Sequence, residues 1–136
     1  VIETVEAYIE SQHTYFVLET LDTLRKNGRL TGIKALVATA LNIKPVMGST
    51  PEGNIYQIGQ GRGIKKALGK MAESVLAELS DPQNKILAIS HCNCPERAEA
   101  FKELLMKNAT FKDVIVLDTA GISSMYANDG GIIVVV

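Results

Sequence analysis

The hydrophobic positions in the second half of the chain follow first a helical and then a strand period. Apolar residues recur every three or four positions over 64–79, which predicts a long amphipathic helix. The continuous apolar runs 86–89 and 114–117 are typical of strands covered on both faces, and the segment that begins at Pro95 predicts a helix between them. A strand, a helix and a strand in this order predict a βαβ unit with parallel strands. The predicted fold class is therefore α/β.

The first half of the chain predicts shorter elements, namely a helix over 2–12, a strand over 14–18, a helix over 19–27, a helix over 31–41 and a β-hairpin over 44–60. The helix over 19–27 is expected to end at Gly28, which can adopt the left-handed backbone conformation. We expect the helix over 31–41 to be largely buried, because only Lys34 among its residues is charged. The whole pattern predicts one domain over 1–136, with a mixed sheet that contains the βαβ unit and the β-hairpin and has helices packed on it.

Composition narrows the class of protein. A chain of 136 residues with 46% hydrophobic and 21% charged residues suits one compact domain with a sizeable core. The formal net charge of −1 provides no basic field for a phosphate backbone, so we expect no nucleic-acid partner. No apolar run approaches the roughly 20 residues that cross a bilayer, so neither a membrane span nor a signal peptide is expected. Because the chain starts at Val1 and ends in the apolar run 132–136, we expect it to be a segment of a longer protein.

Candidate catalytic and metal-binding residues are sparse. Cys92 and Cys94 lie closer in sequence than zinc ligands usually do, and a disulfide between them would be strained, so we expect neither a metal site nor a disulfide. The chain has no nucleophile elbow, and neither histidine has an obvious serine partner by spacing. We therefore expect a binding protein rather than an enzyme.

Two features of residues 59–70 leave other binding functions open. The glycines of 59–63 alternate around Arg62 just before the long helix, and this loop with Arg62 is an alternative site for a small acidic or phosphorylated ligand of a sensor or enzyme. Lys65, Lys66 and Lys70 lie on the polar face of the helix, which is either a solvated face or a docking surface for an acidic partner.

Several motifs of this chain resemble the DegV family in sequence and in order. They are L-D-T-L-R-K-N-G-R-L over 21–30, L-N-I-K-P over 41–45, E-G-N over 52–54, Arg62 with K-K-A over 65–67, and I-S-H over 89–91 before E-R-A-E over 96–99. The resemblance covers nearly the whole chain, as the C-terminal domain of the family. It implies a bacterial, cytoplasmic fatty-acid-binding protein that is not itself an enzyme.

The resemblance also implies a ligand and two partners. A long-chain fatty acid would lie in an apolar tunnel shared with an N-terminal domain that is absent from this chain. A separate fatty-acid kinase would phosphorylate the carboxylate that the binding protein presents. We expect the apolar stripes of the helices over 31–41 and 64–79 to form part of the wall of this tunnel.

The family motifs place the site residues. Arg29 corresponds to the arginine of the family's G-R-I/L motif, and Tyr126 and Asp129 stand where the H-x-G-P-G-A motif has histidine and proline. A tyrosine hydroxyl donates a hydrogen bond to a carboxylate but adds no positive charge near pH 7. The expected ligand-binding residues are Arg29, Tyr126, Ile33, Leu36, Val37, Ile43, Gly130 and Gly131, and the expected partner-docking residues are Arg62, Lys65 and Lys66.

Overall fold

A computed structural model describes residues 1–30 and 42–136 of the chain. The helices in this part of the chain are α1 (Ile2–Glu10), α2 (Asp22–Lys26), α3 (Ile64–Glu78), α4 (Pro95–Met106) and α5 (Gly121–Ala127). The strands are β1 (Thr14–Val17), β2 (Ile43–Ser49), β3 (Ile55–Arg62), β4 (Ile86–His91), β5 (Asp113–Asp118) and β6 (Ile132–Val135). A 3₁₀ turn lies at Pro82–Asn84. The predicted helix over 31–41 lies outside the described residues.

All six of these strands join one mixed sheet in the order β3-β2-β1-β6-β4-β5. β4 and β5, which α4 connects in the chain, are parallel neighbours. Every other pair of neighbouring strands is antiparallel. The β2–β3 connection is a hairpin, in whose turn the Gly53 amide donates a hydrogen bond to the Thr50 carbonyl at 2.9 Å. The predicted α/β fold, the parallel βαβ unit and the β-hairpin are confirmed.

Alternation of side chains along the strands divides the core into two layers. In β1, Tyr15 and Val17 belong to the layer that contains α3 and α4. Phe16 and the following Leu18 belong to the layer that contains α2 and α5. The first layer is well filled, and its Phe101 is almost completely buried; removal of such a side chain typically costs about 3–5 kcal/mol. Among the described residues, the second layer is the smaller of the two, and the candidate site lies in it.

The prediction of a strand over 114–117 is confirmed, but the expected cover on both faces is wrong. β5 is one of the two edge strands of the sheet, and its Ile115 and Leu117 are 38% and 56% exposed. α4 covers the face of β5 that carries Val114 and Val116, which leaves the opposite face accessible. β4 likewise alternates between buried and half-buried residues. A continuous apolar run thus forms an edge strand with one accessible face.

The first helix, predicted over 2–12, is confirmed as α1, but it buries no side chain. Its apolar residues Ile2, Val5 and Ile9 are all exposed. The helical period in this segment therefore gives an apolar stripe that no part of the described chain covers.

Candidate functional site

An apolar pocket lies between the second face of the sheet and the helices α2 and α5. Its volume is about 240 Å³. Phe16 of β1, Ile133 of β6 and Leu18 just after β1 form the floor. Leu24 of α2 and Tyr126 of α5 form walls. Ile122, which also lines the pocket, is 72% exposed, so the pocket opens to solvent beside α5. A small, nearly non-polar pocket of this kind suits part of an alkyl chain.

Two hydrogen bonds fix the helices that enclose the pocket. The Thr23 hydroxyl of α2 contacts the side-chain oxygen of Asn128, at the end of α5, at 3.3 Å. Thr119 and Ser124 share a hydroxyl–hydroxyl hydrogen bond of 2.8 Å that joins α5 to the end of β5. The position of α5 is therefore set by polar contacts at its ends, which leaves its apolar face for the pocket.

Among the residues that the structure describes, Tyr126 is the predicted ligand-binding residue that lies at this pocket. Its ring is half-buried in the wall, and within residues 1–30 and 42–136 its hydroxyl makes no hydrogen bond. A phenol in that setting can donate a hydrogen bond to a carboxylate at the pocket edge.

Gly130 and Gly131 follow α5, and close packing explains both glycines. A Cβ on Gly130, where φ is +87°, would lie 2.7 Å from Arg97 Nη1 and 2.9 Å from Glu19 Cγ. A Cβ on Gly131 would lie 2.7 Å from the Ala127 carbonyl oxygen. Neither glycine lines the pocket, so a direct role in ligand binding remains a prediction.

A charged cluster beside these glycines was not predicted from the sequence. The Glu19 carboxylate contacts Lys44 Nζ at 3.0 Å and Arg97 Nη1 at 2.9 Å. Lys44 also donates to the Glu19 carbonyl at 2.7 Å, and Arg97 donates to the Gly130 carbonyl at 2.5 Å. Partial burial raises the pKa of Glu19, but the hydrogen bonds and charges of Lys44 and Arg97 outweigh it, so the pKa lies below its usual value. The cluster joins the segment that follows β1, strand β2, helix α4 and the turn before β6.

Glu19, Lys44 and Arg97 are far apart in the sequence, and their spacing does not indicate that they form a cluster. Its three charged residues lie in separate parts of the chain, and only the order of strands in the sheet brings them together. Lys44 lies in the L-N-I-K-P motif, and this motif is the sequence signal that could have indicated a specific contact of the lysine.

Arg29 lies just beyond α2 and is exposed. Gly28 adopts a φ of +69°, as predicted, and the Arg29 amide donates to the Leu24 carbonyl at 2.9 Å to close the helix. The Arg29 guanidinium makes no hydrogen bond or ion pair with the residues that the structure describes, and it does not line the pocket. Its role in carboxylate binding therefore remains a prediction.

Ile43 is the predicted wall residue that the structure describes, and it does not line this pocket. Ile43 is half-buried at the start of β2, where it pairs with Arg62 of β3. Ile33, Leu36 and Val37 lie outside the described residues. The apolar stripe of α3, expected to contribute to the tunnel, packs in the core layer on the opposite face of the sheet from the pocket.

The glycines of 59–63 form part of β3 and the start of α3 rather than a separate loop. A Cβ on Gly61 would lie 2.3 Å from the backbone nitrogen of Ala67, so this glycine permits α3 to pack closely on β3. Close packing of α3 on β3 therefore explains why Gly61 is a glycine, and no anionic ligand is needed to explain it. Arg62, Lys65 and Lys66 are exposed around the start of α3.

His91 is the buried polar residue at the carboxyl end of β4. Its Nδ1 accepts a hydrogen bond from the Cys94 amide at 3.3 Å, and its Nε2 lies 3.4 Å from Asp118 Oδ1. This network assigns the proton to Nε2 and supplies an acceptor for the first turn of α4. The described residues contain no group of three or more His, Cys, Asp and Glu side chains that could bind a metal ion.

Burial raises the pKa of the Cys94 thiol, and Arg97 partly opposes this effect. A thiol with a raised pKa is a poor nucleophile at neutral pH. The Cys94 Sγ lies 3.6 Å from the Gly131 carbonyl, and Cys92 and Cys94 are both free. These contacts place both cysteines in the packing between the end of β4 and the turn before β6.

The described residues include no helix that is long and apolar enough to cross a membrane.

Comparison with solved structures identifies similar proteins. A DegV family protein from Ruminococcus gnavus, described with vaccenic acid, is 63% identical and superposes with a TM-score of 0.95 over 99% of this chain and 48% of its own. The Streptococcus pneumoniae fatty acid kinase (Fak) B3 protein, loaded with linoleic acid, is 27% identical, with a TM-score of 0.84 over 98% of this chain and 47% of its own.

Comparison at the sequence level agrees. The DegV domain-containing protein YteA of Lactococcus lactis is 30% identical over 131 residues, which are 96% of this chain and 45% of that protein. The chain thus spans about half the length of the relatives it matches. A family model described as "Uncharacterised protein, DegV family" matches residues 1–136. The chain therefore belongs to the DegV family.

Proposed function

We propose that this chain supplies one side of a fatty-acid-binding site and acts in binding rather than in catalysis. The observation that carries the proposal is the apolar pocket between the sheet, α2 and α5, with the Tyr126 hydroxyl available in its wall. The relatives described with vaccenic acid and linoleic acid support this choice of ligand.

The size of the pocket supports a site that is shared with further chain. Small-molecule pockets typically enclose about 300–1,000 Å³, whereas this one encloses about 240 Å³ and is open beside the exposed Ile122. A long acyl chain therefore needs additional wall. We propose that an N-terminal domain, outside this chain, supplies that wall, since the solved relatives are about twice as long.

Within this chain, we propose that the residues divide between the two ends of the fatty acid. Arg29 and Tyr126 bind the carboxylate, because a guanidinium can make a two-pronged contact and a phenol can donate one hydrogen bond. Ile33, Leu36, Val37 and Ile43 contact the acyl chain. Gly130 and Gly131 contribute by permitting the close approach of the turn to Arg97 and Ala127.

We also propose that the bound carboxylate is presented to a separate fatty-acid kinase. The name of the Streptococcus pneumoniae relative supports this partner. Arg62, Lys65 and Lys66 are exposed and are proposed to contact the kinase. The cytoplasm is the compartment expected for this function, because the two free cysteines would stay reduced there.

Two substitutions on one helix test the lipid site. Ile122→Glu places a carboxylate at the pocket opening, while Met125→Glu, also on α5, places one on a residue that does not line the pocket. Both side chains are exposed, at 72% and 52%, so both variants should fold. In native mass spectrometry of the full-length protein, we expect one fatty acid per chain in the wild type and in Met125→Glu, and a large loss in Ile122→Glu. Equal occupancy in both variants, or an empty wild type after incubation with oleic acid, would refute the proposed site.

A further inference from the structure

A second groove lies on the other side of the sheet, between α3 and α4. Its volume is about 390 Å³, and its surface is mainly apolar. Ile64 and Leu68 from α3 and Phe101 and Leu104 from α4 form its floor. Leu104 is 38% exposed, which is high for a leucine between two packed helices. The groove is separated from the lipid pocket by the full thickness of the sheet.

The charges along the rim of this groove are mostly positive. Lys65, Arg97 and Lys107 line it together with one acidic residue, Glu103. Arg97 is paired with Glu19, whereas Lys65 and Lys107 make no ion pair within the described residues. A chain with a formal net charge of −1 thus has a local excess of positive charge around an apolar floor. This combination is complementary to an apolar surface with acidic flanks.

Gly69 provides an independent observation. It lies in the interior of α3 and lines the groove, and a Cβ at this position would meet no atom within 4 Å. Glycine inside a helix is less stable than alanine, and packing within the described chain does not require it here. The absence of a side chain leaves space for the backbone of a partner to approach α3.

We propose that the groove between α3 and α4 binds an acidic amphipathic helix of another protein. Two neighbouring helices with an apolar floor form the usual receptor for such a helix, whose apolar face enters the groove while its acidic flanks contact the basic rim. The groove is concave, which favours an inserted helix over a membrane surface. The proposal is independent of lipid binding, because no residue of the lipid pocket lines this groove.

A pair of labelled peptides tests the charge and shape requirements. Both form helices of about four turns with leucine at every third or fourth position, and they differ only in having glutamate or lysine on the flanks. In fluorescence anisotropy with the full-length protein, we expect the glutamate peptide to bind about tenfold or more tightly than the lysine peptide. The double variant Lys65→Glu with Lys107→Glu should reverse this preference. Equal binding of the two peptides, or no effect of the double variant, would overturn the proposal.

Substitutions at Gly69 separate binding from stability. Gly69→Ala should raise the melting temperature and weaken glutamate-peptide binding, and Gly69→Leu should abolish that binding. Ala77→Leu, on an exposed position of α3 outside the groove, is the matched control and should leave binding unchanged. Unchanged peptide binding in Gly69→Leu would show that the groove is not the site. Sedimentation with phosphatidylglycerol vesicles that depends on Lys65 and Lys107, without peptide binding, would replace the helix by a membrane and also overturn the proposal.

Discussion

At the scale of single residues, the contacts of Glu19 are the main finding. Its carboxylate lies between Lys44 and Arg97, and Arg97 in turn contacts the Gly130 carbonyl at the turn that follows α5. One acidic residue therefore links the strands to the turn beside the lipid pocket. Gly130 must lack a side chain because Arg97 and Glu19 occupy the space.

Glu19→Gln tests the contribution of this cluster to stability. The ion pairs lower the pKa of Glu19, so their stabilisation is present above the unfolded-state pKa of about 4.3 and is lost as the pH falls through the lower native pKa. Because the carboxylate is 35% exposed, solvent screening limits the effect, and we expect a loss of about 1 kcal/mol at neutral pH. Urea denaturation of both proteins at several pH values measures this difference.

The difference between wild type and Glu19→Gln should shrink as the pH falls below about 4. Glu99→Gln is the control, since Glu99 forms only an exposed ion pair with Lys102 one helical turn away. A difference that is independent of pH, or no larger than that of the control, would argue against the role assigned to Glu19.

Residues of this kind show the limit of prediction from the sequence. Gly28 was predicted correctly because the conformation at a helix end depends on its immediate neighbours. Glu19, Lys44 and Arg97 were not predicted as a cluster, because their proximity depends on which strands are neighbours in the sheet. The position of Tyr126 came from a family motif rather than from any local pattern.

At the scale of elements, the junction between β4 and α4 depends on one buried side chain. α4 begins at Pro95, and His91 accepts the hydrogen bond of the Cys94 amide just before it. A buried acceptor of this kind stabilises the start of the helix because the first amides have no partner within the helix.

His91→Phe removes that acceptor while the ring volume is roughly retained. We expect the free energy of unfolding to fall by about 1–3 kcal/mol, the usual cost of a buried donor without a partner. Asp118→Asn, at the exposed residue on the other side of the imidazole, should change stability by less than about 0.5 kcal/mol. Thermal and urea denaturation check both values, and a His91→Phe protein as stable as wild type would show that the Cys94 amide needs no acceptor.

The elements also show which periodic patterns are informative. The long helix α3, the hairpin and the βαβ unit were all predicted, because their apolar periods extend over many residues. The exposed face of β5 was not predicted, because an apolar run such as 114–117 has the same pattern in a central strand and in an edge strand. Position within the sheet decides between the two, and the order of strands cannot be inferred from local period.

At the scale of the whole molecule, the chain presents two surfaces on opposite faces of one sheet. The first is the open apolar pocket beside α5, and the second is the groove between α3 and α4. The exposed apolar residues of β5 and α5, which include Leu117 and Ile122, lie outside the described core. An additional domain that encloses a fatty acid would cover part of this apolar surface.

The central claim is that a fatty acid binds against the sheet, α2 and α5. The most direct test is photolabelling of the full-length protein with a long-chain fatty acid that carries a diazirine a few carbons from its carboxylate, followed by mass spectrometry of the labelled peptides. We expect label on residues of the pocket, chiefly on β1 and α5, and competition by unlabelled oleic acid. Label confined to the groove between α3 and α4, or label that oleic acid does not displace, would contradict the claim.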